Sequence, residues 1–147
     1  EFAAVGFERG AFMRKFKSLL TSNSDHPFAL IHMGYLQTED VRRLIDDHPN
    51  IYFITSWSNS IVVKLADQLL TNLFEGTRLT NEWKKLIVRY PDRFILGFDN
   101  VFAGHWRKLY RKQVALWRKA LNVLPEEVAH AVAHGNAERL WRLPPAQ

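Results

Sequence analysis

Three short apolar segments, each following a proline and each ending on a polar residue, constrain the fold of this chain most. The segments are 28–32, 51–56 and 94–99, and their last residues are His32, Ser56 and Asp99. They are apolar throughout, which is typical of parallel strands covered on both faces. The spans between them have helical spacing of apolar residues. A repeated strand–helix unit predicts an α/β fold with right-handed crossovers, in which active sites lie at the carboxyl ends of the strands.

Composition excludes several classes of protein. The 147 residues are 47% hydrophobic and include ten Phe and five Trp, which favours a packed core over disorder. No apolar run reaches the roughly 18 residues that a membrane-spanning helix needs, so we expect no membrane contact. Cysteine is absent, which excludes disulfides, thiolate metal ligands and a cysteine nucleophile. This composition suits a reducing compartment, and we expect a cytoplasmic protein.

The net charge of +5 permits binding to nucleic acids without requiring it. Much of the excess lies within 105–121, where Tyr110, Val114, Trp117 and Leu121 have helical spacing. We therefore interpret the basic residues as the solvated face of an amphipathic helix, with a phosphate-binding surface as the less favoured alternative. A small-molecule substrate is expected, and a nucleic-acid partner is not.

Further helices are predicted between and after the strands, in one domain that spans 1–147. The predicted helices cover 7–20, 38–47, 60–74 with a stop at Gly76, 81–90, 105–121, and a segment from Pro125 that Gly135 stops before Asn136 caps a last turn. Residues 122–147 are expected to form a helical extension of the same domain. The segment 71–80 is either an active-site loop or a longer connection.

His32 and Asp99 are the first candidates for chemistry. A neutral imidazole binds a divalent metal or moves a proton, although a lone histidine more often has a structural role. A carboxylate after so apolar a strand loses hydration unless a cation or several donors meet it. Counting back in steps of two groups Asp99 with Ile95 and His32 with Phe28, which predicts that both face one interior.

The remaining histidines have weaker cases. His26 and His48 precede prolines at the opposite ends of the strands and are interpreted as structural. His130 and His134 have the i, i+4 spacing of metal ligands, but solvated or helix-capping roles are favoured. His105 follows the third strand closely enough to reach the same site.

Four runs of the sequence, taken together, resemble a known family. They are 28–34, 50–56, 91–99 and 135–141. Their order and spacing resemble the closing part of the amidohydrolase superfamily, in its branch of amidohydrolase-related, metal-dependent hydrolases and decarboxylases. The resemblance covers nearly the whole chain. It implies that the three strands are about the sixth to eighth of a (β/α)8 TIM barrel, with the N-terminal strands absent.

The resemblance also implies roles for individual residues. His32 matches the sixth-strand histidine, which is a metal ligand or a catalytic base. Asp99 matches the eighth-strand aspartate, which binds metal and takes a proton from the attacking water. The family gives Ser56 no fixed role, and we interpret it as a residue that lines the pocket and contacts substrate. The resemblance says nothing about Asn100, whose amide either orients the substrate or shapes the turn. The implied cofactor is a divalent metal, with zinc first and manganese or iron as alternatives.

Part of the family pattern is missing from this chain. No His-x-His pair of the first strand occurs anywhere in it, and neither does the fifth-strand histidine. The expected activity is hydrolysis of a C–N or ester-like bond, or metal-assisted decarboxylation, with this chain inactive by itself. Two alternatives are a non-catalytic truncated α/β module that associates with other proteins and a nucleic-acid binder. Open sheet edges predict self-association or a homo-oligomer.

Overall fold

The computed structural model describes residues 8–64 and 70–144 and has an α/β architecture. Three parallel strands form one sheet in the order β1, β2, β5: Phe28–Leu30, Ile51–Ile54 and Phe94–Ile95. An antiparallel hairpin consists of β3, Phe74–Glu75, and β4, Arg78–Leu79. The helices are α1 Arg9–Ser22, α2 Thr38–Asp47, α3 Ser60–Val63, α4 Asn81–Arg89, α5 Lys108–Leu121, α6 Glu126–His130 and α7 Asn136–Trp141. None of these described helices is long and apolar enough to cross a membrane.

The parallel sheet confirms the predicted strand–helix repeat. In the register, Phe28 lies beside Ile51, and Phe53 lies between Leu30 and Phe94. The strands are shorter than predicted, because the residues from 31, 55 and 96 onwards leave the ladder. The polar residues therefore lie beyond the ends of the strands, in the connections that follow them.

One face of the sheet packs against the helices and forms the core. Ile51, Phe53 and Phe94 are fully buried there, together with Trp117 of α5. On the opposite face Ala29 is exposed and Tyr52 and Ile54 are half-buried. Both faces were expected to be covered, but within 8–64 and 70–144 the helices cover one face much better than the other.

Helix α2 shows how the sequence sets the boundaries of these elements. Val41, Leu44 and Ile45 share its buried face, and acidic side chains in the first turn favour the positive end of the helix dipole. The helix ends at Asp47 because residue 48 precedes a proline and is extended. This helix was predicted within one residue at each end.

The predicted helix over 60–74 is wrong in its last part. Helix α3 covers Ser60–Val63, residues 65–69 lie outside the described ranges, and Phe74 belongs to the β3–β4 hairpin. Gly76 has a φ of +60° and makes the hairpin turn instead of ending a helix. The physical reason is a tertiary contact. Phe74 packs edge-on against Trp117, with ring centroids 5.0 Å apart, and the burial of Phe74 overrides the local helical pattern.

Gly135 does not stop the C-terminal helix, and Asn136 does not cap a new one. Residues Ala131–Gly135 form a π-helical turn that continues into α7. The Asn136 amide is buried and donates to the carbonyls of Pro91 and Phe94, at 2.7 and 2.8 Å. The Leu96 N–H donates to the Val132 carbonyl at 2.9 Å. The C-terminal helices therefore cover the outer edge of β5.

Candidate functional site

The connections after the three parallel strands meet at one edge of the sheet. His32 follows β1, Ser56 follows β2 and Asp99 follows β5, and the His32 ring contacts both of the others. Its Nε2 lies 3.5 Å from Asp99 Oδ2, and its Nδ1 lies 3.0 Å from the Ser56 carbonyl. The structure thus brings together the three polar residues that end the apolar segments of the sequence.

Ser56 contacts Nδ1 of the His32 ring with two oxygens. The carbonyl oxygen, at 3.0 Å, accepts a hydrogen bond when Nδ1 carries the hydrogen, and the hydroxyl oxygen, at 3.2 Å, is able to donate to Nδ1 when Nε2 carries it. The backbone N–H of His32 donates to Ser56 Oγ at 3.3 Å, and Ser58 Oγ donates to the same Ser56 carbonyl at 3.2 Å. Ser56 is buried. The contacts of Ser56 with His32 orient the imidazole ring. The contact of Ser56 with substrate stays a prediction.

The opposite nitrogen of His32 faces an anion. The Nε2 atom and the Asp99 carboxylate face each other at 3.5 Å, and both side chains are partly buried, with exposed fractions of 12% for His32 and 34% for Asp99. An imidazole nitrogen and a carboxylate oxygen are both among the atoms that bind a divalent metal.

The backbone at all three strand ends adopts a left-handed conformation that non-glycine residues rarely occupy. His32 has a φ of 54°, Trp57 of 55° and Asp99 of 54°. Each such residue costs on the order of 1 kcal/mol relative to an ordinary turn. Strained positions of this kind cluster at functional sites, where the surrounding structure holds them. Such a residue follows each of the three strands at this edge of the sheet.

His32 and Asp99 meet for a different reason than the sequence predicted. Phe28 and Leu30 pack against the helix core, whereas Ile95 pairs with Ile54 on the other face. Counting in steps of two therefore places the two residues on opposite faces. The left-handed turn after β1 reverses the chain at His32 and lets the ring reach Asp99.

Trp57 completes the support of the site and was missed in the sequence. Its Nε1–H donates to the Asp99 carbonyl at 3.1 Å, which holds the turn after β5. Its ring centroid lies 6.0 Å from that of His32 and 6.1 Å from that of His105. The signal in the sequence that could have indicated this role was the position of Trp57 directly after Ser56, the polar end of the second strand.

Comparison with known families identifies the chain. A family model described as amidohydrolase matches residues 12–143, a span that includes all three strand ends. The chain belongs to the amidohydrolase family. This confirms the resemblance carried by the four sequence runs. No curated protein and no solved structure matches the chain.

The donor chemistry of this amidohydrolase chain fits part of a metal site. Two ligands of one tetrahedral zinc ion lie about 3.3 Å apart, close to the 3.5 Å between Nε2 and Oδ2. A hydrogen bond from Nδ1 to a carbonyl is also the usual support of a metal-binding histidine. Within 8–64 and 70–144, however, no group of three histidine, cysteine, aspartate or glutamate residues is placed to hold a metal ion. The distance between His32 and Asp99 thus fits two ligands of one ion, and the described residues supply no third ligand beside them.

Two more polar groups lie near this edge of the amidohydrolase sheet. Asn100 Oδ1 and His105 Nδ1 are buried and have no hydrogen-bond partner in the described part of the chain. His105 packs against Trp57 and Phe102 and does not join His32 and Asp99 in a three-residue metal group. Asn100 Oδ1 is an unsatisfied acceptor next to Asp99, and a hydrogen-bond donor on a ligand would satisfy it. The contact of Asn100 with substrate stays a prediction.

The other histidines lie away from the pair. His48 is buried, and burial lowers its pKa below the ordinary value of 6.5. His26 is exposed and lies 2.9 Å from Asp25. The His130 and His134 rings are in contact with centroids 4.3 Å apart, and His134 Nδ1 lies 2.9 Å from Glu138. They form no three-residue metal group among the described residues.

Proposed function

We propose that this chain supplies the His32–Asp99 side of the active site of a metal-dependent hydrolase, as about the sixth to eighth strands of a TIM barrel. The reaction is hydrolysis of a C–N or ester-like bond in a small molecule, or metal-assisted decarboxylation. The observation that carries the proposal is the distance of 3.5 Å between His32 Nε2 and Asp99 Oδ2. Family membership supports the reaction class.

The proposed cofactor is a divalent metal, with zinc ahead of manganese and iron. When bound, such an ion lowers the pKa of its water to about 7 and so supplies a nucleophile at neutral pH. His32 Nε2 and an Asp99 carboxylate oxygen are the atoms of this chain that hold it. Two ligands make a weak site, so the remaining ligands are proposed to come from strands N-terminal to those described.

Each residue near the pair has a distinct part in the proposed reaction. Asp99 accepts a proton from the attacking water at its free carboxylate oxygen, which 34% exposure leaves accessible. The Ser56 carbonyl keeps the His32 ring in the tautomer whose Nε2 binds. Trp57 fixes the backbone of Asp99 through its indole N–H. Asn100 orients the substrate through its amide. The chain alone is proposed to be inactive, and the whole enzyme to be cytoplasmic.

Zinc titration of the 147-residue chain by calorimetry tests the proposal. Structural zinc sites with four ligands contribute about 10–16 kcal/mol, so half a site gives a Kd of roughly micromolar to millimolar. Binding at one equivalent is expected in the unchanged chain and is lost in His32→Ala and in Asp99→Ala.

The matched control is His26→Ala, which removes the exposed His26–Asp25 pair at 2.9 Å. This control is expected to keep the zinc affinity of the unchanged chain. Equal binding by the unchanged chain, His32→Ala and Asp99→Ala would contradict the proposal, as would loss of binding in His26→Ala alone.

A second candidate function, a non-catalytic module that associates with another copy, has one observation in its favour. β1 is an edge strand of the described sheet, and Ile31 directly after it is 57% exposed. An uncovered strand edge beside apolar surface favours pairing with another chain. The edge of β5 is covered by the C-terminal helices. The Val132 carbonyl accepts from the Leu96 N–H, and the Asn136 amide donates to the Phe94 carbonyl.

A further inference from the structure

A second concave region lies at the same edge of the sheet as His32 and Asp99. It is a groove of about 660 Å³ between α3, the turn of the β3–β4 hairpin and the start of α5. Its lining consists of Ser60, Ile61, Lys64, Gly76, Thr77, Gly104, Lys108, Leu109 and Lys112. Neither His32 nor Asp99 belongs to this lining, so the groove is a separate feature.

Among the described residues, the charged side chains that line the groove are three lysines. Lys64 comes from the end of α3, and Lys108 and Lys112 are one turn apart on α5. No acidic residue lines the groove, and none of the three lysines forms an ion pair within the described part of the chain. Three lysines along one groove give it a positive potential, and an anion in the groove is attracted by all three.

The start of α5 adds to the same positive field. Lys108 is the first residue of this 14-residue helix, and the Arg107 side chain does not cap it. The first turn contains no acidic residue. Lysine at this position opposes the helix dipole, so it is unfavourable for the helix itself. A bound anion offsets both the lysine charges and the dipole.

The groove is open to solvent near its two glycines. A Cβ built on Gly76 or Gly104 meets no atom within 4 Å, so both glycines border free space. Ser60 Oγ donates to the Gly76 carbonyl at 2.6 Å and joins α3 to the hairpin. Gly104 precedes His105, whose ring packs on Trp57, and Trp57 packs on His32. Two aromatic side chains thus connect the groove to the pair.

We propose that this groove binds the anionic group, a carboxylate or a phosphate, of a small molecule. Its volume lies within the range of about 300–1,000 Å³ that is typical of small-molecule sites. A concave site lined by three lysines fits a compact anion better than the extended backbone of a nucleic acid. The proposal concerns binding alone and holds whether or not the chain carries out metal chemistry.

Titration of the 147-residue chain with inorganic phosphate and with succinate, followed by backbone NMR at constant ionic strength, tests the proposal. Saturable shifts of residues in the groove are expected with at least one of the two anions, and their relative affinity distinguishes phosphate from carboxylate. The double variant Lys108→Gln/Lys112→Gln is expected to bind roughly tenfold more weakly. Lys64→Gln on α3 tests the opposite wall independently of α5.

The control is Lys15→Gln/Lys85→Gln, which removes the same charge from exposed positions elsewhere. It is expected to change the affinity less than twofold. Equal weakening in the control, or the absence of saturation with both anions, overturns the proposal. So does a DNA duplex that binds through the same lysines and displaces the small anion, because the groove is then a nucleic-acid surface.

Discussion

At the scale of single residues, the central feature is the way Ser56 holds His32. The Ser56 carbonyl lies 3.0 Å from Nδ1, and its hydroxyl accepts from the backbone N–H of His32. The position of His32 and Asp99 at one edge of the sheet was predictable, because both follow strands whose carboxyl ends share that edge. Their contact and the role of Trp57 were not, because both depend on left-handed backbone conformations that the residue types do not reveal.

Ser56→Ala tests the hydroxyl contact. The substitution keeps the carbonyl but leaves the part-buried N–H of His32 without its acceptor at 3.3 Å. The free energy of unfolding in urea is expected to fall by about 1–3 kcal/mol. Ser58→Ala, which removes only a second donor to the Ser56 carbonyl, is the control and is expected to cost less. An equal or larger loss in the control would contradict this account.

His48 predicts a pH dependence of stability. Burial lowers its pKa in the folded chain, whereas the unfolded chain binds the proton at the ordinary value of 6.5. The unfolded state therefore binds more protons below about pH 6.5, and this contribution to stability is full above that pH and lost as the pH falls. Urea unfolding between pH 7.5 and 5.5 is expected to show a steeper loss in the unchanged chain than in His48→Gln. Parallel curves would contradict the assignment.

At the scale of elements, helices with a clear apolar face were predicted well and irregular connections were not. Helix α2 needed only its own sequence, because its apolar face, its first-turn acids and the following proline agree, although Thr38 begins the helix instead of capping it. The β3–β4 hairpin and the π-helical turn at Ala131–Gly135 depend on distant partners. Phe74 is held by Trp117, and Asn136 is held by the carbonyls at Pro91 and Phe94. No local pattern contains those contacts.

Gly97→Ala tests how closely the ends of β2 and β5 approach. A Cβ at Gly97 would lie 2.5 Å from Ile54 Cγ2, a methyl group on a stiff β-branched side chain. The substitution is expected to lower the free energy of unfolding by about 1–3 kcal/mol through overpacking. Gly104→Ala meets no atom within 4 Å and serves as the control, with an expected change near zero. A neutral Gly97→Ala variant would show that the two strand ends are not in contact.

At the scale of the whole molecule, the sheet has one covered edge and one free edge in the described residues. The C-terminal helices bond along β5, whereas β1 pairs only with β2. Of the two edges through which self-association was predicted, only the edge of β1 is left open in the described residues. The sequence predicted two free edges because the contacts of Val132 and Asn136 with β5 are not visible in a linear pattern.

Light scattering across a concentration series tests this association. The unchanged chain is expected to form dimers as the concentration rises, and Ile31→Lys is expected to weaken them by placing a charge at the end of β1. Val123→Lys is the matched control, since Val123 is 56% exposed and Ile31 is 57% exposed. A monomer at every concentration, or equal effects of the two substitutions, would contradict pairing through β1.

The most direct test of the central claim, that His32 and Asp99 form one side of a metal site, is a long-range proton–nitrogen NMR spectrum of the histidine rings. The account predicts that His32 carries its proton on Nδ1 and that zinc shifts its Nε2 signal in the unchanged chain but not in Asp99→Asn. A His32 ring protonated on Nε2 alone, or a zinc shift that persists unchanged in Asp99→Asn, would contradict it.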